Sequence, residues 1–289
     1  MTVTKVGVIG AGLMGRGIAQ VLAQAEIDVV LVDVAAETLD QALSSIGYAL
    51  KSAALFDPAL RHGQADILAR IEPTTDYDAL SQVDFVIENT TEEWPIKEGV
   101  YHLLSRVCPP DCVLAANTSA ISIARIAAET VNPSRVIGMH FMNPVPQKAV
   151  VEVIRSDATS DETVASATAL LDRLGKRAII VRDSPGFVTN RVLMLTINEA
   201  IAVVEEGVAE PSDVDAIFVG CFSHAMGPLA TADLIGLDTI LRSLDVLQDS
   251  FGDPKFAASP LLRRMVESGR LGRKSGGGFF DYDVRSKGR

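Results

Sequence analysis

Three glycines set as Gly10-Ala-Gly12-Leu-Met-Gly15, between a short apolar run and a helical period, constrain this chain more than any other feature. Val6 to Ile9 is the apolar run, and Met14, Ile18, Val21, Leu22 and Ala25 follow at the spacing of one helix face. A strand, a tight turn and a helix result. Gly10 permits the turn, Gly12 lets the backbone approach a pyrophosphate, and Gly15 allows the helix to pack closely on the strand. The helix N-terminus then faces negative charge. A second apolar run, Val29 to Val32, ends in Asp33, eighteen residues past the last glycine. A carboxylate there accepts hydrogen bonds from ribose hydroxyls and repels a ribose phosphate. Val34, Ala35 and Ala36 offer no guanidinium, so the pattern predicts NAD rather than NADP. Gly10, Gly12, Gly15 and Asp33, with Leu13 and Met14 inside the turn, are the predicted cofactor-binding positions.

The same alternation continues. Ala35 to Lys51 reads as an amphipathic helix running into an irregular stretch around Phe56-Asp-Pro58. Val83 to Ile87, Val113 to Ala116 and Val136 to Met139 read as strands ending at Glu88-Asn89, Asn117-Thr-Ser119 and His140. Polar strand ends are where doubly wound sheets bind ligands. Val150 to Ile154 and Ala178 to Val181 supply two late strands around a helix from Asp161 to Leu174. After Ser184-Pro-Gly186 no strand recurs, and Phe187 to Glu206 is a helix apolar on nearly every side, a pattern of burial in a core or a subunit interface. With 289 residues, about two domains of roughly 150 residues each are expected. The predicted fold is α/β: a Rossmann-like doubly wound sheet, residues 1–182, followed by an all-helical substrate and dimerisation domain, residues 183–289.

Charge and composition narrow the partners. Lys and Arg total 26 against 37 Asp and Glu, a net charge of −11, which disfavours nucleic acid and anionic membranes. No apolar run approaches the roughly 20 residues of a membrane helix, and Met1 to Lys5 has no signal-peptide layout, so a cytoplasmic location is expected. Cys108, Cys112 and Cys221 lack disulfide or metal-ligand spacing and read as packing residues. His62, His102, His140 and His224 form no HxxxH pair, and no metal is expected. His62 and His102 fall on polar helix faces, His224 reads as structural or interfacial, and Trp94-Pro95 opens a helix.

His140 ends a strand, and Glu152 lies inside the apolar run Val150-Val-Glu-Val-Ile154. A buried unpaired carboxylate is costly, so Glu152 calls for a partner such as an imidazolium. In a His–Glu dyad the imidazole takes a hydroxyl proton while the carboxylate fixes its tautomer.

These residues bring the chain to a family. From about Val6 to Tyr282 it resembles the L-3-hydroxyacyl-CoA dehydrogenases, including the bacterial 3-hydroxybutyryl-CoA dehydrogenases. The resemblance rests on Gly10 to Gly15, Glu92 with Lys97, Asn117-Thr-Ser119, His140-Phe-Met-Asn-Pro-Val-Pro146, Val151-Glu-Val153, Ser184 to Arg191, Met226-Gly-Pro228, Ala232 to Leu237 and Gly272 to Gly276. It implies that His140 is the general base, that Glu152 orients it, and that Ser119 and Asn190 hydrogen-bond the substrate oxygens. Glu92, Lys97, Asn117, Ser119, Asn143 and Lys274 fall at cofactor-contacting positions. Glu92 and Lys97 also admit a reading as a solvated helix-face pair, and Asn190 as a helix residue satisfied by backbone, but the resemblance favours the functional reading. The implied reaction is reversible hydride transfer between the hydroxyl-bearing carbon of an acyl thioester and NAD.

Family members usually carry several lysines after the second strand's helix that help hold the phosphates of coenzyme A. Here Lys51 alone remains within Lys51 to Pro58, with Arg61 and His62 beyond it, and Lys51 is the predicted substrate-binding cation. Ala120 replaces a common second serine, and Ala225 a common proline. Acyl-CoA leads as the substrate. The alternatives are an acyl group on an acyl carrier protein, of the hydroxymalonyl type used in polyketide extender units, a free hydroxy acid, and a non-catalytic NAD-binding role. The apolar helix from Phe187 to Glu206 predicts a homodimer.

Overall fold

A computed structural model describes residues 3–55 and 63–282. Phe56, Asp57, Pro58, Arg61 and His62 therefore lie outside the described residues. The chain divides into two compact units, Met1–Ser184 and Pro185–Arg289.

The first unit is built on one eight-stranded sheet in the order β3-β2-β1-β4-β5-β6-β7-β8. Its strands are β1 Lys5–Ile9, β2 Asp28–Val32, β3 Ile71–Thr74, β4 Phe85–Glu88, β5 Val113–Ala116, β6 Val136–His140, β7 Val150–Arg155 and β8 Arg177–Arg182. Helices α1 Leu13–Gln24, α2 Ala36–Ala53, α3 Gln64–Ala69, α4 Trp94–Val107, α5 Ile123–Ala128 and α6 Asp161–Arg173 join them. Neighbouring strands are parallel except β6 and β7, which run antiparallel. β1, β4, β5 and β6 are almost wholly buried, as strands covered on both faces must be. The chain leaves β1 in one direction towards β2 and later returns to its other side as β4, which makes a topological switch point at the carboxyl ends of β1 and β4.

β3 has no counterpart among the strands expected from the sequence. Ile71-Glu-Pro-Thr74 carries a single large apolar residue, and Pro73 argues against a central strand. β3 is the edge of the sheet, where a proline is tolerated because one side of the strand needs no donor. β4 starts at Phe85 rather than at Val83 because Asp84 turns to the neighbouring strand, where its Oδ2 accepts from the amides of Thr4, at 2.6 Å, and Lys5, at 3.0 Å. That contact fixes the start of β1 against β4.

The second unit contains α7 Thr189–Glu205, α8 Pro211–Phe222, α9 Pro228–Ile235, α10 Leu237–Phe251 and α11 Pro260–Glu267. Its core gathers Ile197, Ile201, Leu229, Leu244, Phe256 and Leu262. α7 buries the face of Met194, Ile197, Ala200 and Ile201 in this core and leaves Val192 59% exposed, so within the unit it packs on one side. Two buried acids organise the rest. Asp215 accepts from the amides of Leu229 and Ala230, both at 2.8 Å, at the start of α9. Asp233 accepts from the amides of Phe279 and Phe280, both at 2.9 Å, and so folds the glycine-rich C-terminal turn onto itself. His224 packs against Phe218 with ring centroids 5.4 Å apart.

The glycine turn separates two demands. A Cβ on Gly15 would lie 1.7 Å from the carbonyl oxygen of Gly10, whereas a Cβ on Gly12 would meet nothing within 4 Å. Gly15→Ala is expected to lower the unfolding free energy by about 3 kcal/mol. Gly12→Ala should leave the urea midpoint unchanged yet abolish NADH binding, read by quenching of NADH fluorescence.

Candidate active site

In a parallel sheet the carboxyl ends of the strands share one edge, and here Gly10, Glu88, Asn89, Asn117 and His140 follow or close β1, β4, β5 and β6. β7 runs the other way, so its amino-terminal part reaches that same edge. His140 therefore stands directly opposite Glu152 in the β6–β7 register. Directly opposed residues of an antiparallel pair hold their Cβ atoms roughly 5 Å apart, close enough for side chains to bond.

His140 Nδ1 lies 3.2 Å from Glu152 Oε2, and its Nε2 lies 3.3 Å from Ser119 Oγ. His140 is 6% exposed and Glu152 7%. The tautomer with its proton on Nδ1 donates to the Glu152 carboxylate and offers the Nε2 lone pair to Ser119. The arrangement is a buried imidazole with a carboxylate behind it and a hydroxyl in front.

Ser119 is held from below by Glu92. The Glu92 carboxylate accepts from the amides of Ser119 at 3.0 Å and Ala120 at 3.2 Å, and from the Thr118 hydroxyl. Asn117 ties three strand ends together: its amide donates to Asn89 Oδ1 at 2.7 Å and its oxygen accepts from the amide of Phe141 at 3.0 Å. Asn89 is not among the site residues expected from the sequence, where its position as a polar strand end is the available signal.

Lys97 is wholly buried, with Nζ 2.9 Å and 2.8 Å from the two oxygens of Glu88. A solvated Glu92–Lys97 pair is thus ruled out. Glu92 precedes α4, whose first turn begins with Trp94-Pro95, and this places Lys97 on the inward face of the helix. Glu88 also accepts from the amide and hydroxyl of Thr90, both at 2.6 Å. Burial, and after it the charge of Glu88, push the phenol of Tyr101 well above its ordinary value, which keeps it neutral.

The remaining predicted residues fall as follows. Asp33 accepts from the amides of Ala11 at 2.8 Å and Ala35 at 3.2 Å, so its carboxylate is fixed at the rim of the glycine turn. Leu13 and Met14 open α1, with Leu13 54% exposed. Asn143 precedes Pro144 and lines a cavity of about 680 Å³ together with Leu13, Arg16, Ser45, Tyr48 and Gln147. Arg16, which no sequence motif singles out, is the one charged side chain among the described residues of that lining and donates to Ser45 Oγ at 3.2 Å. Lys51 borders a separate hollow with Leu55 and Gln64. In the second unit Asn190 lies in the first turn of α7, and Lys274 pairs with Asp238 at 2.5 Å. Burial would raise the Asp238 carboxyl, but the Lys274 ammonium holds it below the usual carboxylate value.

A dinucleotide fits these residues. Gly12 caps α1 with open space where a Cβ would stand, no acidic side chain occupies the first turn of that helix, and the Asp33 carboxylate waits beside it. Among the described residues, no three His, Cys, Asp or Glu side chains group as a metal site. No helix among them is long and apolar enough to cross a membrane.

Comparison with known proteins identifies relatives along the whole chain. Residues 5–184 match the family model described as 3-hydroxyacyl-CoA dehydrogenase, NAD binding domain, and residues 186–282 match the model of the C-terminal domain. The chain is 47% identical over 279 residues to the probable 3-hydroxybutyryl-CoA dehydrogenase of Deinococcus radiodurans, covering 96% of this chain and 100% of that one. It is 41% identical to the 3-hydroxybutyryl-CoA dehydrogenase of Clostridioides difficile, covering 96% and 99% of the two chains. The crystal structure of (S)-3-hydroxybutyryl-CoA dehydrogenase from Ralstonia eutropha matches with a TM-score of 0.93 at 42% identity, covering 98% of this chain and 100% of that one.

The buried Glu88–Lys97 pair supports the loop that carries Glu92. Lys97→Met leaves a buried carboxylate without its cation and is expected to lower the unfolding free energy by about 3–5 kcal/mol, while Glu88→Leu combined with Lys97→Met recovers part of that loss, the Thr90 donors then lacking their acceptor. Urea denaturation of the single and double variants measures both.

Proposed function

The chain belongs to the 3-hydroxyacyl-CoA dehydrogenase family and is an NAD-dependent enzyme of that family; we propose that it interconverts a short L-3-hydroxyacyl thioester, of the 3-hydroxybutyryl-CoA type, and the 3-oxoacyl thioester. The observation that carries this reading is the buried His140–Glu152 pair with Nε2 turned towards Ser119. NAD supplies the hydride acceptor when bound.

His140 takes the proton of the substrate hydroxyl on Nε2 in oxidation and returns it in reduction. Glu152 stabilises the imidazolium that forms, and it does so strongly because the pair is withdrawn from water. Ser119 Oγ, fixed through the Glu92-bound turn, donates to the substrate oxygen as the geometry around Nε2 allows. Proton transfer is expected to contribute roughly 10²–10⁴-fold. The resemblance assigns Asn190 to the substrate and Lys274 to the cofactor. Asn190→Ala should raise the KM of the thioester, and Lys274→Ala that of NADH.

A second reading of the carrier has one observation in its favour. Among the described residues, the cavity beside α1 is lined by neutral groups apart from Arg16, which suits a phosphopantetheine arm better than the several phosphates of a nucleotide. An acyl carrier protein would supply that arm without the nucleotide. We also read the enzyme as a homodimer, since α8 exposes Val219 at 46% and Phe222 at 64%, three residues apart on one face, and Ile217 at 52% on another, apolar surface that a second subunit would cover.

NADH oxidation with acetoacetyl-CoA tests the function. Turnover with NADH, at least about tenfold weaker with NADPH, and a kcat lowered roughly 10²–10⁴-fold in His140→Gln at unchanged NADH affinity, are the expected results. NADH binding without turnover of the CoA thioester moves the carrier-protein or free-acid substrate forward, and a dead enzyme with all of these substrates overturns the dehydrogenase reading. Light scattering at micromolar concentration is expected to report twice the chain mass, and a monomer mass overturns the dimer.

A further inference from the structure

Lys176 sits between α6 and β8, only 6% exposed, with no carboxylate at ion-pair distance among the described residues. Burial pulls its ammonium below the ordinary lysine value. A buried cation without a counter-ion is costly, and what it gains in return here is two carbonyl oxygens, Val145 O and Lys148 O, each at 2.7 Å. Both belong to the turn that joins β6 to β7. The backbone next to Lys176 holds the same turn, since the amide of Arg177 donates to Ala149 O at 2.7 Å.

That turn has one face on a cavity and one on α1. Asn143 to Gln147 form a wall of the 680 Å³ cavity, and Val145 is packed so closely on α1 that a Cβ on Gly17 would come within 3.1 Å of its Cβ. The dyad does not depend on the turn in the same way. His140 and Glu152 are set by the strand register, in which Met139 faces Val153 and Gly138 faces Ile154. Lys176 therefore holds the cavity wall and leaves the reacting groups to the sheet.

We propose that Lys176 is a positioning residue for the thioester substrate: its ammonium clamps the Val145–Lys148 turn and so sets the width of the cavity that receives the carrier arm. The inference rests on the reading that this cavity takes the arm. A neutral side chain of similar length would fill the same space without holding two carbonyls, so the turn would drift from α1 while the fold persisted.

The test is steady-state kinetics of Lys176→Met with acetoacetyl-CoA, beside Lys176→Arg and a variant that plugs the cavity, Ser45→Trp. The expected result is a KM for the thioester raised about tenfold or more in Lys176→Met, the scale of losing charge-assisted hydrogen bonds, with kcat within about twofold and NADH affinity unchanged. Lys176→Arg, which keeps the cation, recovers most of the KM. Should Lys176→Met fail to fold, Lys176→Gln, which keeps one donor group, is read in the same way. A raised KM in Ser45→Trp with no change in either Lys176 variant overturns the clamp and leaves the cavity reading intact. No change in Ser45→Trp removes the cavity reading and the clamp with it. A fall in kcat or in NADH affinity equal to the rise in KM, or a loss of melting temperature alone, makes Lys176 a structural residue and overturns the proposal.

Discussion

The site depends on one reversal of direction in an otherwise parallel sheet. Parallel strands deliver their carboxyl ends to a single edge, which collects the glycine turn, the asparagines and His140 there but cannot place a partner opposite His140 from the neighbouring strand's amino-terminal half. Turning β7 antiparallel to β6 does so, and the register puts Glu152 across from the imidazole. A slip of one residue would turn Glu152 to the opposite face of the sheet and leave both groups buried and unpaired. The cost of that state makes the register and the dyad enforce each other.

Buried charge in the first unit is concentrated beneath this edge. Glu88 with Lys97 underlies the loop to Glu92, Glu152 underlies His140, and Lys176 underlies the turn after it. Buried ionic pairs contribute little net stability compared with apolar residues of the same size, and removing one partner is strongly destabilising. Such groups resist displacement, which suits loops that must present a hydroxyl and an imidazole at fixed separation. Glu92 completes the sequence of supports, because three donors from Thr118 to Ala120 converge on it and so orient Ser119.

How far the sequence discloses this follows from the kind of partner each residue has. The glycine turn is legible because each glycine answers a separate backbone demand, a positive φ at Gly10, open space at Gly12 and contact with a carbonyl at Gly15. The need of Glu152 for a cation is legible because its strand is apolar on both sides. β3 is not, since one isoleucine and a proline show no period. The Glu88–Lys97 pair is hidden because a loop and a helix start separate the two residues, and the nearer Glu92 offers itself as the obvious partner. Lys176 is hidden for another reason: its partners are backbone carbonyls, which any sequence possesses. The apolar residues of α7 do not disclose which face packs, since they surround the helix while one face enters the second unit's core and Val192 lies outside it.

Charge then bears on what kind of recognition the thioester receives. A net charge of −11 works against long-range attraction of an anionic substrate, and among the described residues the cavity lining brings one guanidinium, already bonded to Ser45. On the proposed reading that the carrier arm enters this cavity, binding strength comes from short-range fit: the width between α1, α2 and the Val145–Lys148 turn, with neutral groups such as Ser45 and Gln147 on the lining. Fit of that kind is only weakly screened by salt, unlike phosphate capture by a lysine cluster. It is also sensitive to displacements of an ångström or less in a wall. A lysine buried behind that wall, with both of its strong bonds made to the wall's own backbone, is the arrangement such sensitivity calls for.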